Sequence, residues 1–240
     1  MKYFLKNLKN LIKTEPIILL KKPWLVFLIP MVLFYVFSNR LNSSLTKVYL
    51  TESFVDSLLR PDTVTLDGDN KLKIVRSFVD FIEYAQQRIL EEVDQADSLI
   101  KVIRKRFEKG DFAIVYTEKS GNPLSYVFIG VSLADITPVG ITLKIPQKTF
   151  GMYDVYTFKE SRGEGHYSCL FNYAVGYMKN RGYEKMWLWL MKQNEVSVKV
   201  HYKLGIRKIV KVMTERLRAG IITRKTEDVD MLLAELIAHE

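Results

Sequence analysis

The sequence predicts an α+β fold, a mixed sheet with helices on its faces. Three observations predict it. Residues 112–158 hold four short runs rich in β-branched and aromatic side chains, broken by turn chemistry such as Ser120-Gly121-Asn122-Pro123. Two stretches with apolar residues at helical spacing precede this meander. A glycine-rich turn at 162–165 then opens a helix, and strand, helix and strand follow it. The hydrophobic fraction of 48% supplies a core and excludes a disordered chain.

The chain begins with an attachment to this domain. Lysines at 2, 6, 9 and 13 follow one helical face, and Phe4, Leu5, Leu8, Leu11 and Ile12 take the other. A basic face opposite an apolar face suits a helix lying in a membrane interface. Residues 23–37 carry no charge. As a helix they reach roughly 22 Å at about 1.5 Å per residue, short of the roughly 30 Å hydrocarbon core. Pro30 would kink them. Residues 1–41 are therefore expected to anchor the protein at the cytoplasmic side of a membrane, peripherally or as a monotopic segment. Lys21, Lys22 and Trp24 would sit among the headgroups. A secretory leader fits less well, since no small-residue cleavage site follows. The alternative is that these helices dock on the domain itself or on a second subunit, which leaves a homodimer open.

The charge locates itself in the same place. The net charge is +9, but the first 47 residues hold eight basic side chains against Glu15 alone, a balance of +7. The domain of residues 45–240 is nearly neutral and shows no aromatic-basic stripe, so nucleic acid is not an expected partner. One cysteine, Cys169, excludes a disulfide framework, and three scattered histidines are too few for a histidine-built metal site, so no metal is expected.

Along the domain, residues 47–50 read as a short strand and residues 52–59 as one or two helical turns. From about Leu72, the residues Ile74, Val75, Phe78, Phe81, Ile82 and Ala85 repeat at helical spacing, and residues 98–108 do the same. Gly110 caps the second helix. Strands are expected at 112–116, 124–131, 140–145 and 152–158, a helix at 166–181, a strand at 186–190, a helix at 195–204 and a strand at 206–213. A further strand near 217–224 and an amphipathic helix at 229–238 end the chain.

Two motifs carry chemistry. The turn Arg162-Gly163-Glu164-Gly165-His166-Tyr167-Ser168 lies between a strand and a helix start. Glycines admit a ligand close to the backbone, and the unpaired amides of a helix N-terminus favour an anion. The run lacks the glycine a dinucleotide fingerprint needs at Ser168 and the Lys-Ser/Thr pair of a P-loop. In the second motif, Asn194 to Ile206, Asn194 is an N-cap and Gly205 the residue beyond the helix end.

With both motifs in this order, the chain resembles the GNAT superfamily of acyl-CoA N-acyltransferases. The family loop Gln/Arg-x-x-Gly-x-Gly/Ala is matched from Arg162 to Tyr167, with Tyr167 in place of a small residue. The later pattern Asn-x-x-Ser/Ala…Lys-Leu-Gly-Phe is matched by Asn194, Ser197, Lys203, Leu204 and Gly205, with Ile206 for the last position. The resemblance covers roughly residues 45–225.

It implies a mostly antiparallel sheet with helices on both faces, in which the strand at 152–158 splays from the strand at 186–190. Acetyl-CoA, or another acyl-CoA, would lie in that gap as co-substrate. Thr157 and Phe158 would pair with its pantetheine, the amides from Arg162 to Ser168 would take its pyrophosphate, and Asn194 would lie alongside. An amine acceptor attacks the thioester, and the leaving thiolate needs a proton. His201 occupies the family's acid position and Tyr202, one residue on, has the usual residue type. They lie about 100° apart around a helix, so only one faces the sulfur. Asp154 and Glu160 are candidate bases. An amino sugar of a surface polysaccharide precursor is the acceptor that the anchor suggests. A non-catalytic CoA-binding or interaction module with the same fold is the alternative.

Overall fold

The computed structural model describes residues 44–58, 71–218 and 221–238. Residues 1–41, expected to form an anchor, lie outside them. Among the described residues no helix is long and apolar enough to cross a membrane. Contacts divide the chain into two units, one of which, within the described residues, comprises Ser44, Leu45 and residues 216–218 and 221–223. The larger unit, Thr46–Glu215 with Arg224–Glu240, holds the core and all the chemistry that follows.

The element order is β1 (Ser44–Phe54), α1 (Val55–Leu58), β2 (Lys71–Val75), α2 (Phe78–Glu91), α3 (Ala96–Glu108), β3 (Phe112–Thr117) and β4 (Pro123–Gly130). There follow β5 (Leu133–Ile136), β6 (Ile141–Lys144), β7 (Thr149–Thr157), α4 (His166–Lys179), β8 (Lys185–Met191), α5 (Glu195–Lys203), β9 (Lys208–Arg218), β10 (Ile221–Leu232) and α6 (Leu233–Ala238). Eight strands form one mixed sheet in the order β10-β9-β1-β8-β7-β4-β3-β2, and β5 and β6 form a separate hairpin. Antiparallel pairing joins β2, β3, β4 and β7 and joins β1 to β8, while β7 and β8 run parallel.

Strand periodicity explains why both faces need helices. In β3, Phe112, Ile114 and Tyr116 enter one core with α4 and α5, and Ala113 and Val115 enter a second with α2 and α3. A strand apolar on both sides is buried on both sides. The second core is built on Phe81, whose ring meets Tyr126 edge-on at 5.0 Å and Phe128 at 4.9 Å. A third cluster packs Ala134, Ile136 and Val139 of the β5–β6 hairpin on Val48 and Leu50 of β1.

Three expected elements differ. Lys71–Val75 is an edge strand paired with β3, not the start of a helix. Ile74 and Val75 suit either period over so short a window. The helix begins at Phe78 because Ser77 caps it, its hydroxyl accepting the Asp80 N–H at 3.1 Å. At the C-terminus β10 runs to Leu232, so the expected helix at 229–238 shrinks to Leu233–Ala238. Val229 and Met231 are half-buried while Asp230 and Leu232 are exposed, a period of two that the longer helix would break. Finally, β1 extends to Phe54 and sits inside the sheet between β8 and β9.

Candidate active site

The site begins at a fault between two strands. The β7–β8 ladder runs from Thr149–Lys185 to Met152–Leu188 and then stops, although both strands continue. On its other side β7 pairs Tyr153 with Phe128 and Tyr156 with Tyr126, leaving two residues, Asp154 and Val155, opposite Val127 alone. That is a β-bulge, and Asp154 adopts φ 46° within it. Bulges bend a strand and re-aim its side chains. Past this one, the β8 side of β7 has no strand neighbour, and the expected splay is present.

A groove of about 460 Å³ opens beside it, lined by Val155, Thr157, the loop from Ser161 to Ser168 and the first turns of α5. Gly163 and Gly165 have φ of 86° and 83°, which side chains rarely adopt, and a Cβ at either would meet nothing within 4 Å. The first intrahelical bond of α4 runs from the Cys169 N–H to the Gly165 carbonyl at 3.2 Å. The amides of His166, Tyr167 and Ser168 therefore precede the helical ladder and stand available to an anion. An open cradle with aimed amides fits a pyrophosphate.

Thr157 turns its carbonyl toward the loop, where it accepts from Arg162 Nε at 3.0 Å. Phe158 does not share the groove: its N–H donates to the Leu124 carbonyl at 3.1 Å and its ring is buried in the second core. Alternation along the strand, which assigns one of two adjacent residues to β4, explains the difference. The Glu164 carboxylate lies 2.8 Å from His166 Nε2 and lines the outer side of the loop. Asn194 is the N-cap of α5, accepting the Ser197 N–H at 3.1 Å.

The two neighbours on α5 separate cleanly. His201 is 4% exposed and turned inward. Its Nδ1 lies 2.7 Å from the Ser197 carbonyl and so carries the proton, and its Nε2 accepts from the Tyr167 hydroxyl at 2.5 Å. Tyr202 packs half-buried on the first core, with the Arg207 guanidinium 4.2 Å from its ring centre. Tyr167, the departure from the family loop, thus reaches across from α4 to the helix that carries the acid position.

Burial lowers the His201 imidazole to about 4, with the Ser197 carbonyl opposing the shift. The unfolded value is higher, so protons favour the unfolded chain in this interval. The stability involved is fully present above about pH 6.5 and is lost as the pH falls toward about 4, for a total of about 3 kcal/mol. Urea denaturation across that range should show the slope in the wild type and a smaller slope in His201→Gln.

A second cavity, of about 580 Å³, adjoins the groove along α5. Its walls include Arg88, Glu92, Gln95, Ser98, Arg106, Asp135, Asp154 and Trp189. Arg88 Nη1 pairs with Asp154 at 2.9 Å and Arg88 Nε with Glu92 at 3.1 Å; Arg106 binds the other Asp154 oxygen. Burial pushes the Asp154 carboxyl up, but Arg106 and Arg88 outweigh it and hold it below the usual carboxylate value. A carboxylate bound by two guanidiniums is a poor base, so the geometry makes Asp154 the centre of an ion cluster. Glu160 lies in a short 3-10 turn outside both cavities. Sequence reasoning passed over Arg88, Glu92, Gln95, Arg106 and Trp189. Arg88, Arg106 and Trp189 sit on α2, α3 and β8, and Glu92 and Gln95 in the link between α2 and α3, at positions that read as ordinary solvated or core faces.

Asn194, Ser197 and His201 line both cavities. With Val155, which also lines both, they mark where the groove with the glycine turn adjoins a mixed polar and aromatic chamber. The model of the family described as Acetyltransferase (GNAT) family matches residues 80–206, more than half of the chain. The chain belongs to the GNAT acetyltransferase family.

Solved structures share the fold at low identity. A functionally unknown conserved protein from Staphylococcus epidermidis is 12% identical, with a TM-score of 0.51 over 75% of this chain and 64% of that one. A Drosophila protein is 10% identical, with a TM-score of 0.53 over 82% of this chain and 59% of that one. A tandem GNAT protein from the clavulanic acid biosynthesis pathway is 13% identical, with a TM-score of 0.52 over 74% and 55%. The chain thus spans less than two thirds of the length of each. No curated protein matches the chain.

Proposed function

We propose that the protein transfers acetyl from acetyl-CoA to the amine of a neutral, hydroxyl-rich acceptor, an amino sugar of a surface polysaccharide precursor, at the cytoplasmic membrane face. The observation that carries the reading is the shared wall formed by Asn194, Ser197 and His201. A pyrophosphate seated on the Gly163–Ser168 amides directs the rest of the donor along the open side of β7 toward that wall. An amine in the adjoining second cavity meets it at those shared residues, which supplies the proximity the reaction needs.

The residues divide the work as follows. Neutral His201 has its proton tied to the Ser197 carbonyl, so it orients the Tyr167 hydroxyl instead of donating. As the carbon–sulfur bond breaks, the Tyr167 hydroxyl turns from His201 Nε2 and gives its proton to the thiolate, and the proton shed by the attacking amine restores it. The acceptor class follows from the charges. In the second cavity Arg88 and Arg106 are matched to Asp154 and Glu92, and Asp135 is matched to Lys109 at 2.6 Å. Gln95, Ser98 and Thr137, which line the same cavity as Trp189, then offer hydrogen bonds and an aromatic surface, chemistry that suits a sugar. The basic, apolar segment 1–41 supports a membrane-face acceptor.

Full-length protein in a cell lysate should release CoA thiol with an amino-sugar panel, and the activity should sediment with membranes. Tyr167→Phe should lower kcat about 100-fold or more at unchanged KM for acetyl-CoA. Acetyl-CoA binding without turnover on any amine would favour a non-catalytic module.

A further inference from the structure

The far edge of the sheet carries a charge pattern that the chemistry of the cleft does not use. β10 ends the strand order, with β9 on one side and no described strand on the other. From Arg224 to Asp228 every residue is exposed on both faces of the ribbon. Proteins protect such an edge, because its free N–H and C=O groups invite another strand. Here the strand reads Arg224-Lys225-Thr226-Glu227-Asp228, two bases, a neutral centre and two acids.

We propose that β10 pairs antiparallel with the β10 of a second copy, about a two-fold axis through Thr226. In that register Lys225 faces the second copy's Glu227, and Arg224 faces its Asp228. The axis, perpendicular to the sheet, repeats both contacts. It also keeps the two faces aligned, so the register can shift only in steps of two residues. A shift one way sets Lys225 against its own copy, and a shift the other way sets Glu227 against its own. Like charges directly opposite are unfavourable and opposite charges favourable, so the sequence selects one register.

The two faces of β10 enter the pairing differently. Arg224 pairs with Glu215 at 2.8 Å and Asp230 with Lys208 at 3.2 Å, and Asp228 binds Lys211, all on β9. Lys225 and Glu227, on the other face, bind only one another among the described ion pairs. They can turn to a partner strand without breaking the hairpin. The result is one continuous sheet through two copies, with a closed, isologous interface. This inference is independent of the catalytic reading.

Sedimentation equilibrium of the full chain in density-matched detergent tests it. The wild type should have the mass of a dimer. K225E and E227K alone should each weaken association about tenfold or more. Mixed one to one, those two variants should associate with each other, and the double variant K225E/E227K should recover the dimer, since it exchanges the charges without changing composition. A monomeric wild type overturns the proposal, as does a K225E variant that associates as tightly as the wild type or a double variant that fails to recover.

Discussion

Gly165→Glu should lower the affinity for acetyl-CoA about 100-fold or more, corresponding to about 2.7 kcal/mol. Two effects act together. Gly165 has φ 83° and ψ 0°, a left-handed conformation that costs another residue about 1–2 kcal/mol. The added carboxylate would project from a position where a Cβ meets nothing within 4 Å, into the groove where the donor's pyrophosphate is proposed to sit. Like charges in the groove repel the ligand directly. Calorimetry with Gly165→Ala alongside separates the two effects: alanine should carry only the backbone cost. The groove assignment fails if glutamate and alanine bind acetyl-CoA equally well.

Asp154→Asn should destabilise the domain by about 3–5 kcal/mol, the usual cost of leaving buried charge uncompensated. Arg88 and Arg106 would remain, each side chain 13% exposed, with no anion between them. Asparagine accepts the left-handed backbone at this bulge nearly as well as aspartate, so the loss reports charge and not strain. Thermal unfolding should fall by about 10 °C or more. Adding Arg106→Met should restore part of that loss, because it removes the orphaned cation while Arg88 keeps Glu92. The same cluster walls the proposed acceptor cavity, so the single variant should also raise KM for the acceptor more than for acetyl-CoA.

The legible part of the protein is the part set by local rules. The Gly163–Gly165 turn, the Asn194 cap and the β-branched and aromatic run of β3 each depend on a few neighbouring residues, and each predicted its structure. The course of Tyr167 could be seen only as an oddity, since the partner that explains it, His201, is on another helix. Asp154 reads as a candidate base in the sequence because nothing local names Arg88 and Arg106, which approach from α2 and α3. Lys71–Val75 was misread because five residues do not distinguish the two periods, and its pairing with β3 decides the matter from outside. Chemistry assembled across elements is what a linear reading loses.

β1 gives the molecule a timetable. Val48 pairs with Met191 and Phe54 with Lys185, so a strand made near the start must wait for one made near the end. Pairings this distant in sequence close slowly. During synthesis at roughly 5–20 residues per second, β1 would emerge with its apolar side chains uncovered for several seconds before β8 follows. The meander of β3 and β4 can form in the meantime, but the central sheet cannot close until most of the chain has left the ribosome. A segment upstream of β1 that held it apart during this interval would keep an early, sticky strand from meeting the wrong partner.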